Sequence, residues 1–457
     1  MSQVSFPASA LRPLPIDDPI RSLTRRRSLG LAGAALFTAS CAPRTSNAQP
    51  NAELGANLSD PLARRFYEQR GWRPAWTPAQ ARALGQSFAV ARQHGLNPAL
   101  FAPKFQGDGQ DAQETALTIA ALGYAKALAT GLIEPQKVEK DFTLERHQPD
   151  LVSGLNKTLS EGGDLGAWLA SLPPSDAEYQ ALSQAYVAAL SQAGLPTAPA
   201  QGAPVGTSAA PSDQARQLAA NLERRRWLNR TPAARRIDVN SAATFLVYLR
   251  PSAQPWAARV VTGSDEHQTP CIQGGFQRLI ANPPWRVPEK IAAKEILPKG
   301  AGYMARQHMH VVNGLVEQEP GPHNSLGLVK FDVDDPYDIY LHDTPAKQLF
   351  KLPERHRSHG CVRVQNALDL ARLIAGEAGK ADEFEQALAS KDTKPVEIGD
   401  PIPVRILYHT VYLGADSQLA FVPDVYGTDD ALAVALGLGQ VPARAARGQP
   451  PVLDLGP

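Results

Sequence analysis

The sequence predicts an α+β multidomain chain, a helical N-terminal half followed by a mostly β C-terminal half. Three observations predict it. Apolar residues recur at helix spacing from about residue 60 to residue 195. β-Branched residues gather in short runs after Pro232. Between the two, residues 194–212 form a Pro/Ala/Gly stretch with no apolar period, the composition of a linker. The chain has 457 residues, 43% of them apolar, which is ample for two or three buried cores.

Composition excludes several classes. Lys and Arg number 46 against 45 Asp and Glu, a formal charge of +1, whereas a nucleic-acid scaffold needs a basic excess for phosphate contacts. The 40 prolines and 35 glycines cluster in a few stretches, so wholesale disorder is not implied. Only Cys41, Cys271 and Cys361 are present, too few for a disulfide framework or a four-cysteine metal site.

In chain order, residues 1–48 read as an export leader. Arg25, Arg26 and Arg27 precede the apolar run LGLAGAALFTA, too short to span a bilayer and right for a signal-peptide core. The twin-arginine order resembles a Tat signal, and Ser46-Asn47-Ala48 offers a cleavage site. Thr38-Ala39-Ser40-Cys41 resembles a lipoprotein box with Thr where Leu is usual, so secretion without a lipid is preferred. Membrane contact is expected only if Cys41 is acylated. Residues 49–193 then form the helical domain. Leu117, Ala121, Tyr124 and Leu128 share a helix face, Gly131 suits the C-cap, and Pro135 follows as a stop. After the linker, residues 213–232 contain one helix, QARQLAANLERRRWL. Its Arg224-Arg225-Arg226 run is expected on a solvated face.

The β domain is expected over 233–436, with strands at 326–333, 338–342, 404–413 and 419–422. A Pro-punctuated insertion at 282–320, with one short helix in its first part, interrupts it as a lid-like wall. A helix runs from Asn366, its expected cap, through Leu370, Leu373 and Ile374. The tail at 437–457, rich in Gly, Pro and Ala, is expected to be flexible.

Chemistry concentrates in IYLHDTPAKQLFKLPERHRSHGCVRV, residues 339–364. A thiol attacks carbonyls as thiolate, and histidine is its usual base near neutrality. A small residue such as Gly360 lets a carbonyl approach backbone N–H groups that hold the developing oxyanion. His342, fifteen intervening residues and Ser358-His359-Gly360-Cys361 match the signature of L,D-transpeptidases with a YkuD-type catalytic domain. PGPHNSLG, LVKFDV and PVRILYHTVY agree with it. The helical half and LERRRWL resemble the scaffold-bearing, YcbB-like branch, without the peptidoglycan-binding repeat many of its members carry. Arg363 stands where the wider family has Asn.

The resemblance implies a β-sandwich-like catalytic domain, no cofactor and no metal. Its substrates would be peptidoglycan stem peptides, a donor tetrapeptide and an acceptor amine, in the periplasm. It implies Cys361 as nucleophile, His342 as its base and His359 as a residue that orients or polarises the site. Ser358 would bond a histidine or the backbone. The Gly360 and Cys361 N–H groups, with Tyr340, would hold the oxyanion, and Arg363 would grip a substrate carboxylate. The product would be a 3–3 crosslink, or a 1–3 crosslink to L-Ala; water as acceptor would make a carboxypeptidase, and a D-amino acid would give exchange. Other readings stand beside it: a non-catalytic cell-wall scaffold, or a zinc site built from His356, His359 and Cys361 with His308 and His310. The spacing matches no common zinc pattern, and two histidines at i, i+2 in a strand would face the same way. Cys271, with no signature histidine close by, reads as an inert small hydrophobe.

Overall fold

The computed structural model describes Leu54 and residues 58–105, 109–195 and 211–439. The export leader with Cys41, most of the linker and residues 440–457 lie outside the described residues.

Among the described residues from 58 onward, seven helices build the first half: α1 (Pro61–Gln69), α2 (Pro78–Phe88), α3 (Gln110–Thr130), α4 (Leu151–Ser160), α5 (Leu165–Ala170), α6 (Ala177–Gln192) and α7 (Asp213–Trp227). Asp60, Thr77, Asp150, Asp164, Asp176 and Ser212 each accept a first-turn N–H, satisfying donors the helix leaves open. On α3, Ala121, Tyr124 and Leu128 are buried, and Gly131 ends the helix at φ 89°. Their core also holds Phe66, Leu84, Leu155 and Leu182, with Leu218 and Leu222 from α7. Val411 and Leu436, from the far end of the chain, join that core, so the halves are packed together.

The arginine triplet on α7 is not a solvated face. Arg224 is 3% exposed and Arg226 is fully buried. Arg226 pairs with Glu223 and donates to the Tyr179 hydroxyl and the His94 carbonyl. Arg224 pairs with Asp429 and Glu139, and Arg225 with Asp176 and Glu178. Most of these carboxylates lie far away in sequence, so the local pattern gave no sign of the pairing.

Among the described residues fourteen strands follow: β1 (Arg236–Asn240), β2 (Phe245–Leu249), β3 (Trp256–Gly263), β4 (Gln273–Ala281), β5 (Trp285–Arg286), β6 (Met309–Val312), β7 (Leu315–Gln318), β8 (Val329–Phe331), β9 (Leu341–His342), β10 (His356–Ser358), β11 (Val362–Val364), β12 (Lys394–Leu407), β13 (Val411–Leu413) and β14 (Leu419–Phe421). The main sheet runs β10-β3-β11-β9-β8-β4-β12-β1-β2, and pairing of β2 with β3 closes eight of these strands on themselves. Ile237, Val239, Phe276, Phe331, Leu341 and Val362 fill its core. The helix Ala367–Glu377 packs there through Leu370 and Ile374. Asn366 precedes that helix at φ 55°, but its side chain makes no cap bond. β12 starts ten residues earlier than expected despite Pro395, Pro401 and Pro403. A register shift between Glu397 and Ile402, around Gly399 at φ 81°, takes Pro401 out of the ladder, while Pro395 and Pro403 pair opposite Ile280 and Gly275.

The insertion between β4 and β8 is richer than one helix. It holds helical turns at 289–291 and 301–306 and a three-stranded sheet, β5-β7-β6. Trp285, Ile296, Met309, Val316 and Leu326 give it a core of its own, and Tyr340 packs against that core.

Candidate active site

Strand alternation builds the site. Phe331, Leu341 and Val362 are register neighbours on β8, β9 and β11, and all three point into the core. Their successors or predecessors Lys330, His342 and Arg363 are likewise neighbours, so these share the opposite face. Tyr340 and Cys361 lie just ahead of β9 and β11, each two residues before a member of that set, and the Tyr340 hydroxyl bonds the Cys361 sulfur. Five residues on or just ahead of three strands thus converge, with His342 brought beside Arg363 by parallel pairing of β9 with β11.

The sulfur is half-buried, and burial pushes the Cys361 thiol up. Hydrogen bonds from the Tyr340 backbone and hydroxyl and the nearby Lys330 charge oppose that rise. The Tyr340 hydroxyl also accepts from the Trp285 indole, while the Lys330 Nζ sits 4.4 Å from the Tyr340 ring centre. His342 is buried, and its ring meets that of Tyr340 edge-on at 5.6 Å. Its Nδ1 lies 2.5 Å from the Asp343 carbonyl oxygen. A carbonyl only accepts, so Nδ1 carries the proton and Nε2 is left with its lone pair. Burial, then the Arg363 charge, pushes the imidazole down to about 3. It is therefore a neutral acceptor at neutral pH.

Arg363 is half-buried, its Nε is buried without a partner, and burial pushes its guanidinium down. Among the described residues it faces no carboxylate. Ser358 closes the turn before the cysteine: its hydroxyl accepts from the Gly360 N–H at 3.2 Å and donates to the Cys361 carbonyl at 2.6 Å. The Gly360 N–H is thereby engaged within the turn. Gly360 contributes its φ of 116°, which few side chains tolerate, where an added Cβ would lie 3.3 Å from Ile339. His359 is joined to the insertion, its Nε2 2.7 Å from Glu295, with its ring 4.8 Å from that of His267.

The other histidines are placed apart. His356 is held by Glu354 at 2.6 Å and the Ser241 carbonyl at 2.9 Å. His308 lies ahead of β6 at φ 53° and stacks on His323, while His310 is within the strand, 3.5 Å from Glu319. They do not form the same-facing pair the spacing suggested. Among the described residues, no group of three or more His, Cys, Asp and Glu is arranged to hold a metal. Cys271 is buried beside Trp227 and Tyr408, its thiol pushed well up by burial and by Glu139. Sequence reasoning passed over Lys330, Trp285 and Asp343. Lys330 had a signal: it is a cation between Val329 and Phe331, facing out of a core strand.

A cysteine and a histidine on neighbouring strands of a closed β domain, joined to a helical module, define a class of two-domain thiol proteins. Residues 234–404 match the family described as the L,D-transpeptidase catalytic domain, YkuD, and residues 61–185 match the Scaffold domain. By these two matches the chain carries a Scaffold domain followed by a YkuD-type L,D-transpeptidase catalytic domain. A Haemophilus influenzae protein named "Putative L,D-transpeptidase" is 29% identical over 218 residues, 42% of this chain and 44% of that protein. The chain therefore spans less than half of that relative's length. A solved structure titled as the Ldtfm-avibactam carbamoyl enzyme is 11% identical, covering 39% of this chain and 52% of that one at a TM-score of 0.21.

Proposed function

We propose that this chain is an exported peptidoglycan L,D-transpeptidase with Cys361 as its nucleophile. The observation that carries the reading is the convergence of Cys361, Tyr340, His342, Lys330 and Arg363. The Cys361 proton passes to His342 Nε2 as sulfur attacks the carbonyl of the third, L-centred donor residue. The Cys361 N–H and the Tyr340 hydroxyl hold the oxyanion. His342 returns the proton to the leaving D-alanine amine, and a thioester remains. An amine from a second stem then attacks the thioester and forms the crosslink, 3–3 or 1–3. Arg363 holds a substrate carboxylate, which its burial without a counter-charge supports. Periplasmic location rests on the Arg25–Arg27 leader.

Purified tetrapeptide muropeptides test this. Dimers with loss of D-alanine are expected, and fragmentation assigns the acceptor position; monomers left intact would refute it. A carbapenem is expected to raise the intact mass by one drug molecule, and Cys361→Ala to abolish the gain.

A further inference from the structure

The turn that carries the nucleophile is held from beneath by a closed ring of hydrogen bonds that the catalytic signature does not contain. The Gly263 N–H donates to Thr269 Oγ1 at 2.8 Å, and Thr269 Oγ1 donates to the Gly360 carbonyl at 2.7 Å. The Thr269 N–H donates to the Tyr426 hydroxyl at 3.2 Å, which donates to the Gly263 carbonyl at 2.8 Å. Thr269 is 2% exposed, and both hydrogen-bonding roles of its hydroxyl are filled within this ring.

The Gly360 carbonyl and the Cys361 N–H belong to one peptide group. That group is planar and trans, so fixing the oxygen fixes the N–H in the opposite direction. The Gly360 N–H and the Cys361 carbonyl are both engaged by the Ser358 hydroxyl, and the Cys361 N–H has no protein partner among the described residues. At φ 116°, Gly360 does not set this plane by its own preference. We infer that Thr269 is the positioning residue of the oxyanion site: its hydroxyl holds the Gly360 carbonyl and so aims the Cys361 N–H at the developing oxyanion. Tyr426 steadies Thr269 in turn. This rests on the proposed acyl-transfer reading.

The test compares two reactions of the same sulfur in the full chain. Acylation by donor tetrapeptide builds an oxyanion; alkylation by iodoacetamide does not. Thr269→Val removes the hydroxyl at nearly constant volume. Its acylation rate is expected to fall about 10- to 100-fold, below the ~10²–10³ seen when an oxyanion donor is deleted outright. Its Cys361 alkylation rate, read by peptide mass spectrometry, is expected to stay within about twofold, and Thr269→Ser is expected to restore acylation. Unchanged acylation, or an equal fall in both reactions, would overturn the inference. Should Thr269→Val not fold, Tyr426→Phe is expected to give the same split at smaller size, and equal rates there would overturn it as well. A wild type that is alkylated but never acylated would instead refute the transpeptidase reading.

Discussion

Two sets of buried arginines stand in contrast. On α7, Arg224 and Arg226 lie at or below 3% exposure, and each has carboxylates in contact. On β11, Arg363 is half-buried with its Nε buried, beside a cysteine and a neutral histidine, and among the described residues it meets no carboxylate. A buried charge is costly unless paired. The α7 cations are therefore structure: they tie α7 to α6, to Glu139 and to the helix Thr428–Ala435. The Arg363 cation is poised for a counter-charge that arrives with the substrate.

The sharpest way to break this contrast is to neutralise each member in turn. Arg226→Met leaves Glu223 buried without its cation, although the Ile133 N–H at 2.7 Å and the Trp227 indole at 3.3 Å still serve it. A loss of about 3–5 kcal/mol is expected in denaturant unfolding. No loss would deny that the α7 pair is structural. Arg363→Met has no partner to strand. Its unfolding free energy is expected to hold or rise slightly, while kcat/KM for donor peptide falls about 10- to 100-fold, as for a lost charged hydrogen bond of ~1.5–3 kcal/mol. A mutant that unfolds more easily yet keeps full activity would reverse the assignment.

The smallest expected effect is a pH dependence that both regions share. Burial pushes His94, under the helical half, down to about 4 and His342 down to about 3, each with an arginine charge adding to the shift. A histidine depressed in the fold binds its proton in the unfolded chain first. The stability it confers is complete above about pH 6.5 and is lost as pH falls from there toward its folded value, by at most ~1.4 kcal/mol per pH unit for each group. Urea unfolding at pH 7, 6 and 5 is expected to follow that slope. The His342→Gln variant should reduce the slope without removing the His94 part. A flat profile would mean these imidazoles are solvated.

Local pattern was informative wherever the physics is local. The α3 face and its Gly131 stop were legible for that reason. Of the site, Cys361, His342, Tyr340 and Arg363 were legible from one motif, because β9, β10 and β11 lie within a few dozen residues of one another. Only the folded turn reveals that Ser358 takes the Gly360 N–H. Lys330 and Thr269 reach the site from strands and loops outside the motif, where spacing carries no information.

What the sequence determined by itself was the helix-then-strand layout of the chain, and which thiol sits beside signature histidines. Those follow from periodicity, capping and residue chemistry within short spans. The tertiary structure decided the rest: that the Arg224–Arg226 run is interior, that Lys330 and Arg363 flank His342, and that Thr269 sits beneath the nucleophile. Each is a matter of which distant groups share a low-dielectric space. A charge reads as surface or as site only once its counter-charges, or their absence, are known.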